Sequence, residues 1–159
     1  MNMEAIHKNL VAGVDPGFSG AISILDEHGA IILNVDMPII KGDRDELDEQ
    51  AIRTILANKD VKHVFIEKVS AMPGEGVVSV GRFMAGWGIV RGICAGLQKP
   101  YTLVHPLTWK KKMMRDMPKD KGASIIRVKQ LYPDIDLPRK KDHGKADAIL
   151  IALYGVKYS

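Results

Sequence analysis

Leu10-Val11-Ala12-Gly13-Val14-Asp15-Pro16-Gly17-Phe18-Ser19-Gly20-Ala21-Ile22-Ser23-Ile24-Leu25-Asp26 is the stretch that decides the fold. It holds two short apolar runs, Leu10 to Asp15 and Ala21 to Asp26, separated by Pro16-Gly17 and Ser19-Gly20. Runs of this length bounded by proline and glycine read as strands, and a gap this short folds them back as a hairpin. Asp26-Glu27-His28-Gly29 is a second turn, leading to a third strand over Ile31 to Met37. The chain therefore opens with three antiparallel strands, and Asp15 sits at the end of the first.

Outward from this meander the pattern changes. Leu47, Ala51, Ile52, Ile55 and Leu56 recur at helical spacing, with Asp43 or Asp45 as the expected cap. Val61 to Glu67 is a fourth strand; reached by a helical crossover, it should lie parallel to the first. Asp15 and Glu67 would then share one end of neighbouring strands. Val77 to Leu97 is long, apolar and glycine-rich. Arg82 and Arg91 within it make membrane insertion costly, so it reads as a buried helix able to meet a second subunit. Tyr101 to His105 is a fifth strand, and Pro106 suits the first turn of a short helix through Lys112. Helices over Lys121 to Tyr132 and Gly144 to Val156 follow a loop rich in proline and charge. The expected architecture is α/β: a five-stranded mixed sheet, three strands antiparallel and two parallel, flanked by helices in one domain over 1–159.

Three carboxylates lie against segments that should be buried: Asp15, Glu67, and Asp147 at the head of Ala146-Asp147-Ala148-Ile149-Leu150-Ile151. An ionised carboxylate resists such a place unless it is paired or bound to metal. Three that converge make a hard, all-oxygen site of the kind that suits magnesium or manganese.

The formal net charge is only +4, but it is unevenly spread. Residues 1–60 carry 5 basic and 11 acidic side chains, whereas residues 99–145 carry 13 basic and 5 acidic. A basic half beside an acidic one suggests a face for a polyanion, most simply nucleic acid. Cys94 is the only cysteine, which excludes a disulfide within the chain and a cysteine zinc site. Met1 to Asn9 has no signal-peptide pattern, so a cytoplasmic location is expected.

The element order and the anchors Gly-Val-Asp-Pro-Gly at 13–17, Ile-Glu-Lys-Val at 66–69 and Ala-Asp-Ala-Ile-Leu-Ile-Ala at 146–152 resemble the RNase H-like nuclease superfamily. More narrowly, the chain resembles the RuvC-family Holliday-junction resolvases, in a phage-type form, from about Leu10 to Gly155. The resemblance implies an RNase H-like fold and a homodimeric endonuclease acting on branched DNA. It implies Asp15, Glu67 and Asp147 as ligands of two Mg2+ or Mn2+ ions, with no nucleotide cofactor. The common bacterial pattern has an acid three residues before the last aspartate, where this chain has Gly144; Asp142 and His143 are the candidates for a fourth ligand. His143 is one helical turn before Asp147, so the two can face one point.

The family's two lysines near the metals align with Lys111 and Lys121. Lys110, Lys111 and Lys112, with Arg139, Lys140 and Lys141, are expected on DNA phosphates. Lys68, Ser70 and Met72 fall where bacterial members part the junction, but the position of their aromatic wedge is Ser70 here. Trp87 and Trp109 read as packing residues. Three rivals remain: an actin-like ATPase, suggested by the 13–20 loop but needing two such domains; a less selective nuclease for hybrids or flaps; and a DNA-binding module without catalysis.

Overall fold

The computed structural model describes residues 9–159. β1 (Leu10–Asp15), β2 (Ala21–Leu25) and β3 (Ile31–Asp36) form the expected antiparallel meander. A small hairpin, β4 (Ile39–Ile40) with β5 (Glu46–Leu47), precedes α1 (Glu49–Leu56). Then come β6 (Val61–Glu67), α2 (Val77–Gly96), β7 (Tyr101–Val104), α3 (Pro106–Met113), α4 (Ala123–Leu131), a 3-10 turn (Lys140–Asp142) and α5 (His143–Tyr158). The main sheet runs β3-β2-β1-β6-β7, with β6 parallel to both β1 and β7.

Strand alternation sorts the layers. Leu10, Ala12 and Val14 join a core with α1 and α2 on one face of the sheet. Val11 and Phe65 point the other way, into a second core shared with α3, α4 and α5. Asp15 and Glu67 continue the Val11 and Phe65 series, so both emerge on the α5 face. Val14 is in register with Ile66, which sets the two carboxylates at matching ends of β1 and β6.

The final helix reaches them because glycine clears its path. A Cβ at Gly13 would overlap the Ala148 carbonyl oxygen and the Ala152 amide, and would stand 2.8 Å from the Ala152 Cβ. A Cβ at Gly144 would strike the Ser19 carbonyl and lie 3.1 Å from the Gly20 Cα. Helix and sheet thus meet at backbone distance. Ala146, Ala148, Ile149, Leu150, Ile151 and Ala152 are fully buried beneath it. Asp147 heads this helix on the side facing the strand ends.

Two local expectations give way. The cap of α1 is Asp48, whose carboxylate accepts from the Ala51 amide at 3.0 Å, rather than Asp43 or Asp45. Leu47 belongs to β5, because the hairpin consumes the residues before the cap. The reading of 77–97 as a buried helix is also corrected. Only Gly86, Val90 and Cys94 of α2 are buried, while Val77 (88% exposed), Val78 (74%) and Phe83 (42%) are open to solvent. The helix has the length and hydropathy of a membrane span. Its arginines are held by the domain itself: Arg82 stacks 4.3 Å from the Phe18 ring centroid and donates to the Asp45 carbonyl, and Arg91 lies 4.4 Å over Trp87.

Candidate active site

Asp15, Glu67 and Asp147 come together in a cleft of about 1080 Å³. Each keeps partial solvent access, yet protein surrounds each closely enough for burial to dominate its titration. Burial, then the charges of Glu67 and Asp147, push Asp15 up from 3.8 to about 8 against an opposing hydrogen bond from the Gly17 amide. Burial likewise lifts Asp147 to about 6, with Ser124 hydrogen-bonding the carboxylate and lowering it. Glu67 is raised by burial, opposed by the Trp109 indole and increased again by Asp147. With Asp15 raised by both its neighbours and Glu67 by Asp147, the cluster is short of positive charge.

Lys110 is the cation whose charge reaches all three. It is exposed on α3, its ammonium 5.4 Å from the Trp109 ring centroid. His105 caps that helix, its Nδ1 accepting from the Leu107 amide, and Pro106 opens it as expected. Trp109, one turn on, is fully buried and donates its indole N–H to Glu67 Oε2 at 2.6 Å.

The donor set tests whether a metal would suit this place. Asp15, Glu67 and Asp147 offer hard, anionic oxygens to a water-accessible cleft, and no neighbouring pair of cations satisfies them. That chemistry fits magnesium or manganese. Among the described residues no three His, Cys, Asp or Glu side chains form a ready-made cage. Glu67 is drawn to Trp109 and Asp147 to Ser124.

The fourth-ligand candidates part company. His143 lines the cleft one turn before Asp147. Asp142 is turned away and nearly inaccessible: it accepts from the Arg139 amide at 2.8 Å and from the Arg139 guanidinium at 2.8 and 2.5 Å. Burial alone would raise its pKa, but Arg139 overrides that and holds it below the usual carboxylate range. Asp142 therefore seals the start of α5 and does not reach the cluster.

The basic residues divide as well. Lys110, Lys111 and Lys121 rim the cleft. Lys112 stands over the Tyr158 ring instead. Arg139 is committed to Asp36 and Asp142, and Lys141 lies 3.6 Å from Asp36, which leaves Lys140 as the unengaged member of that cluster among the described contacts. Lys68, Ser70 and Met72 are exposed but outside the cleft lining. Met72 closes a local turn with Glu75. Two aromatic side chains unassigned from sequence, Phe18 and Phe83, also line the cleft. Ser124 and Trp109 were equally invisible as site residues, since a serine before an apolar helix and a tryptophan before a lysine run carry no signal of their own.

No protein-family model and no curated protein sequence matches the chain. Solved structures do. T. thermophilus RuvC in complex with a Holliday junction substrate superimposes with a TM-score of 0.62, covering 92% of this chain and 94% of that one at 16% identity. The chain has the RuvC fold. T. thermophilus RuvC by itself gives 0.56 at 18% identity, covering 92% and 95%. A fowlpox virus resolvase bound to its junction covers 94% and 99% but scores 0.42 at 12% identity, too low to bear on the assignment.

Proposed function

We propose that the protein is a structure-selective endonuclease that resolves four-way DNA junctions and related branches by metal-dependent phosphodiester hydrolysis. The observation that carries this reading is the charge-coupled trio Asp15, Glu67 and Asp147 in a lysine-rimmed cleft on a RuvC fold. The solved T. thermophilus RuvC complex holds a Holliday junction, and the same class of substrate is assigned to this chain.

Asp15, Glu67 and Asp147, with His143 as fourth donor, would hold two magnesium or manganese ions. Such ions supply Lewis acidity, lowering the pKa of an attacking water and offsetting charge on the phosphate. The chain's own residues do the rest. Lys110 neutralises part of the carboxylate charge, so that a phosphodiester can approach. Lys111 and Lys121 grip phosphates at the rim, and the exposed Phe83 offers an aromatic face to unpaired bases. Water adds to phosphorus as the P–O3′ bond breaks, and the 3′-oxygen takes a proton. The ends are a 5′-phosphate and a 3′-hydroxyl.

One site per chain cuts one strand, so resolution calls for two chains. The exposed face of α2 supports a two-fold dimer: a Cβ at Gly81, Gly88, Gly92 or Gly96 would meet nothing within 4 Å. Such a face allows close helix approach.

The test is cleavage of a mobile four-way junction, a fork, an RNA–DNA hybrid and a plain duplex with magnesium or manganese, with nucleotide hydrolysis run alongside. Paired symmetric nicks in the junction are expected. Equal cutting of hybrid and junction would favour the less selective nuclease, and binding without cutting would leave a DNA-binding module.

A further inference from the structure

Trp109 touches two parts of the site at once. Its indole N–H donates to Glu67 Oε2 at 2.6 Å, and its ring lies beneath the Lys110 ammonium at 5.4 Å. It is fully buried, the largest side chain so enclosed, and packs with Val104, Met113, Val128 and Leu150. Its place is fixed from both ends of a short path: β7 pairs with β6 up to Glu67 opposite Val104, and His105 immediately caps α3. The indole therefore has one attitude, and what it holds has little freedom.

We infer that Trp109 is a positioning residue that orients the Glu67 carboxylate and seats Lys110 over the carboxylate cluster. A buried hydrophobe needs no N–H. A phenylalanine would fill most of the same volume but would leave Glu67 without its fixed donor, and a smaller platform would lie under Lys110. The charge-assisted bond selects one carboxylate rotamer before any cation arrives. Cation–π attraction holds the ammonium on the ring face. One residue thus sets the position of a negative ligand and of the positive charge that balances it. The inference rests on the reading of Glu67 as a cation ligand.

The indole proton reports this directly. In 15N-labelled protein carrying Trp87→Phe, the single indole N–H resonance belongs to Trp109. Without metal it should be shifted downfield and protected from exchange, and Glu67→Gln should move it upfield. Magnesium titration should move it in the parent and leave it fixed in Glu67→Gln. Trp109→Phe should lower the cleavage rate and the magnesium affinity measured by calorimetry by roughly 10- to 100-fold, as loss of a partner behind a metal ligand does. Should Trp109→Phe fail to fold, the resonance measurements decide alone. A resonance indifferent to Glu67→Gln and to magnesium would overturn the inference, as would full rate and magnesium affinity in a folded Trp109→Phe protein. A magnesium-sensitive indole in a protein that cuts no junction would uphold it while removing the proposed substrate.

Discussion

Replacing Asp15 with asparagine should stabilise the metal-free protein, and by more as pH rises. Asp15 is displaced from 3.8 to about 8 by burial and by the charges of Glu67 and Asp147. A carboxyl raised in this way favours the fold while it is protonated in both states, below about pH 4. That advantage is lost progressively as the pH climbs through the folded value near 8, because only the unfolded chain ionises freely. A shift of about four units, at about 1.4 kcal/mol each, sets a ceiling of about 6 kcal/mol. Real interiors relax around charge more than dry protein would, so about half of that, ~3 kcal/mol, is the working figure. For a domain of this size it corresponds to roughly 6–12 °C in Tm. Thermal melts of both proteins in EDTA from pH 4 to 9.5 give the difference directly. It should be near zero at the acid end, grow between pH 5 and 8, and level off above. Magnesium should then raise the Tm of the native protein at pH 9 and leave Asp15→Asn almost unmoved. A pH-independent difference, or a less stable Asp15→Asn protein at pH 9, would refute the claim that the three carboxylates repel one another in the fold.

At pH 7 a metal must displace the proton from Asp15, so calorimetry in buffers of different ionisation enthalpy should show proton release on manganese binding, vanishing above about pH 9. His143→Ala should lose cleavage with magnesium and recover part of it in raised manganese, whereas Asp142→Ala should cost about 1.5–3 kcal/mol in urea melts through its lost bonds to Arg139; cleavage-specific loss in a stable Asp142 variant would reverse these roles. Lys121→Ala should lower the salt dependence of junction binding by about one phosphate's worth, a slope change of ~0.9, while Arg139→Ala should act on stability instead. Gly88→Leu should shift the protein toward monomer in sedimentation if α2 is the dimer face; an unchanged dimer would place the interface elsewhere.

The sheet was legible because its signals are local and periodic. Alternation in Leu10 to Asp15 and in Val61 to Glu67 fixes which side chains face which layer, and the short turns fix the antiparallel meander. The carboxylates stood out because each ends or opens an apolar run. The rest depended on distant partners. Leu47 has the spacing of a helix residue, but the hairpin with Ile39 claims it. The apolar composition of α2 implied burial, yet Val77, Val78 and Phe83 lie exposed among the described residues. Asp142 and His143 are neighbours with equal claims in the sequence; Arg139, and through it Asp36 on β3, turns one inward. Lys110 and Lys111 differ by 100° on a helix, and only the attitude of Trp109 decides which one stands over the cluster.

The close seating of α5 on β1 at Gly13 has a temporal consequence. Asp15 emerges from the ribosome well before Asp147, and the helix that carries Asp147 also supplies much of one core. A chain that stops short of α5 lacks both His143 and Asp147, together with the element that locks the sheet. Completion of the fold and assembly of the carboxylate cluster therefore fall in the same step, and a fragment without α5 would hold neither.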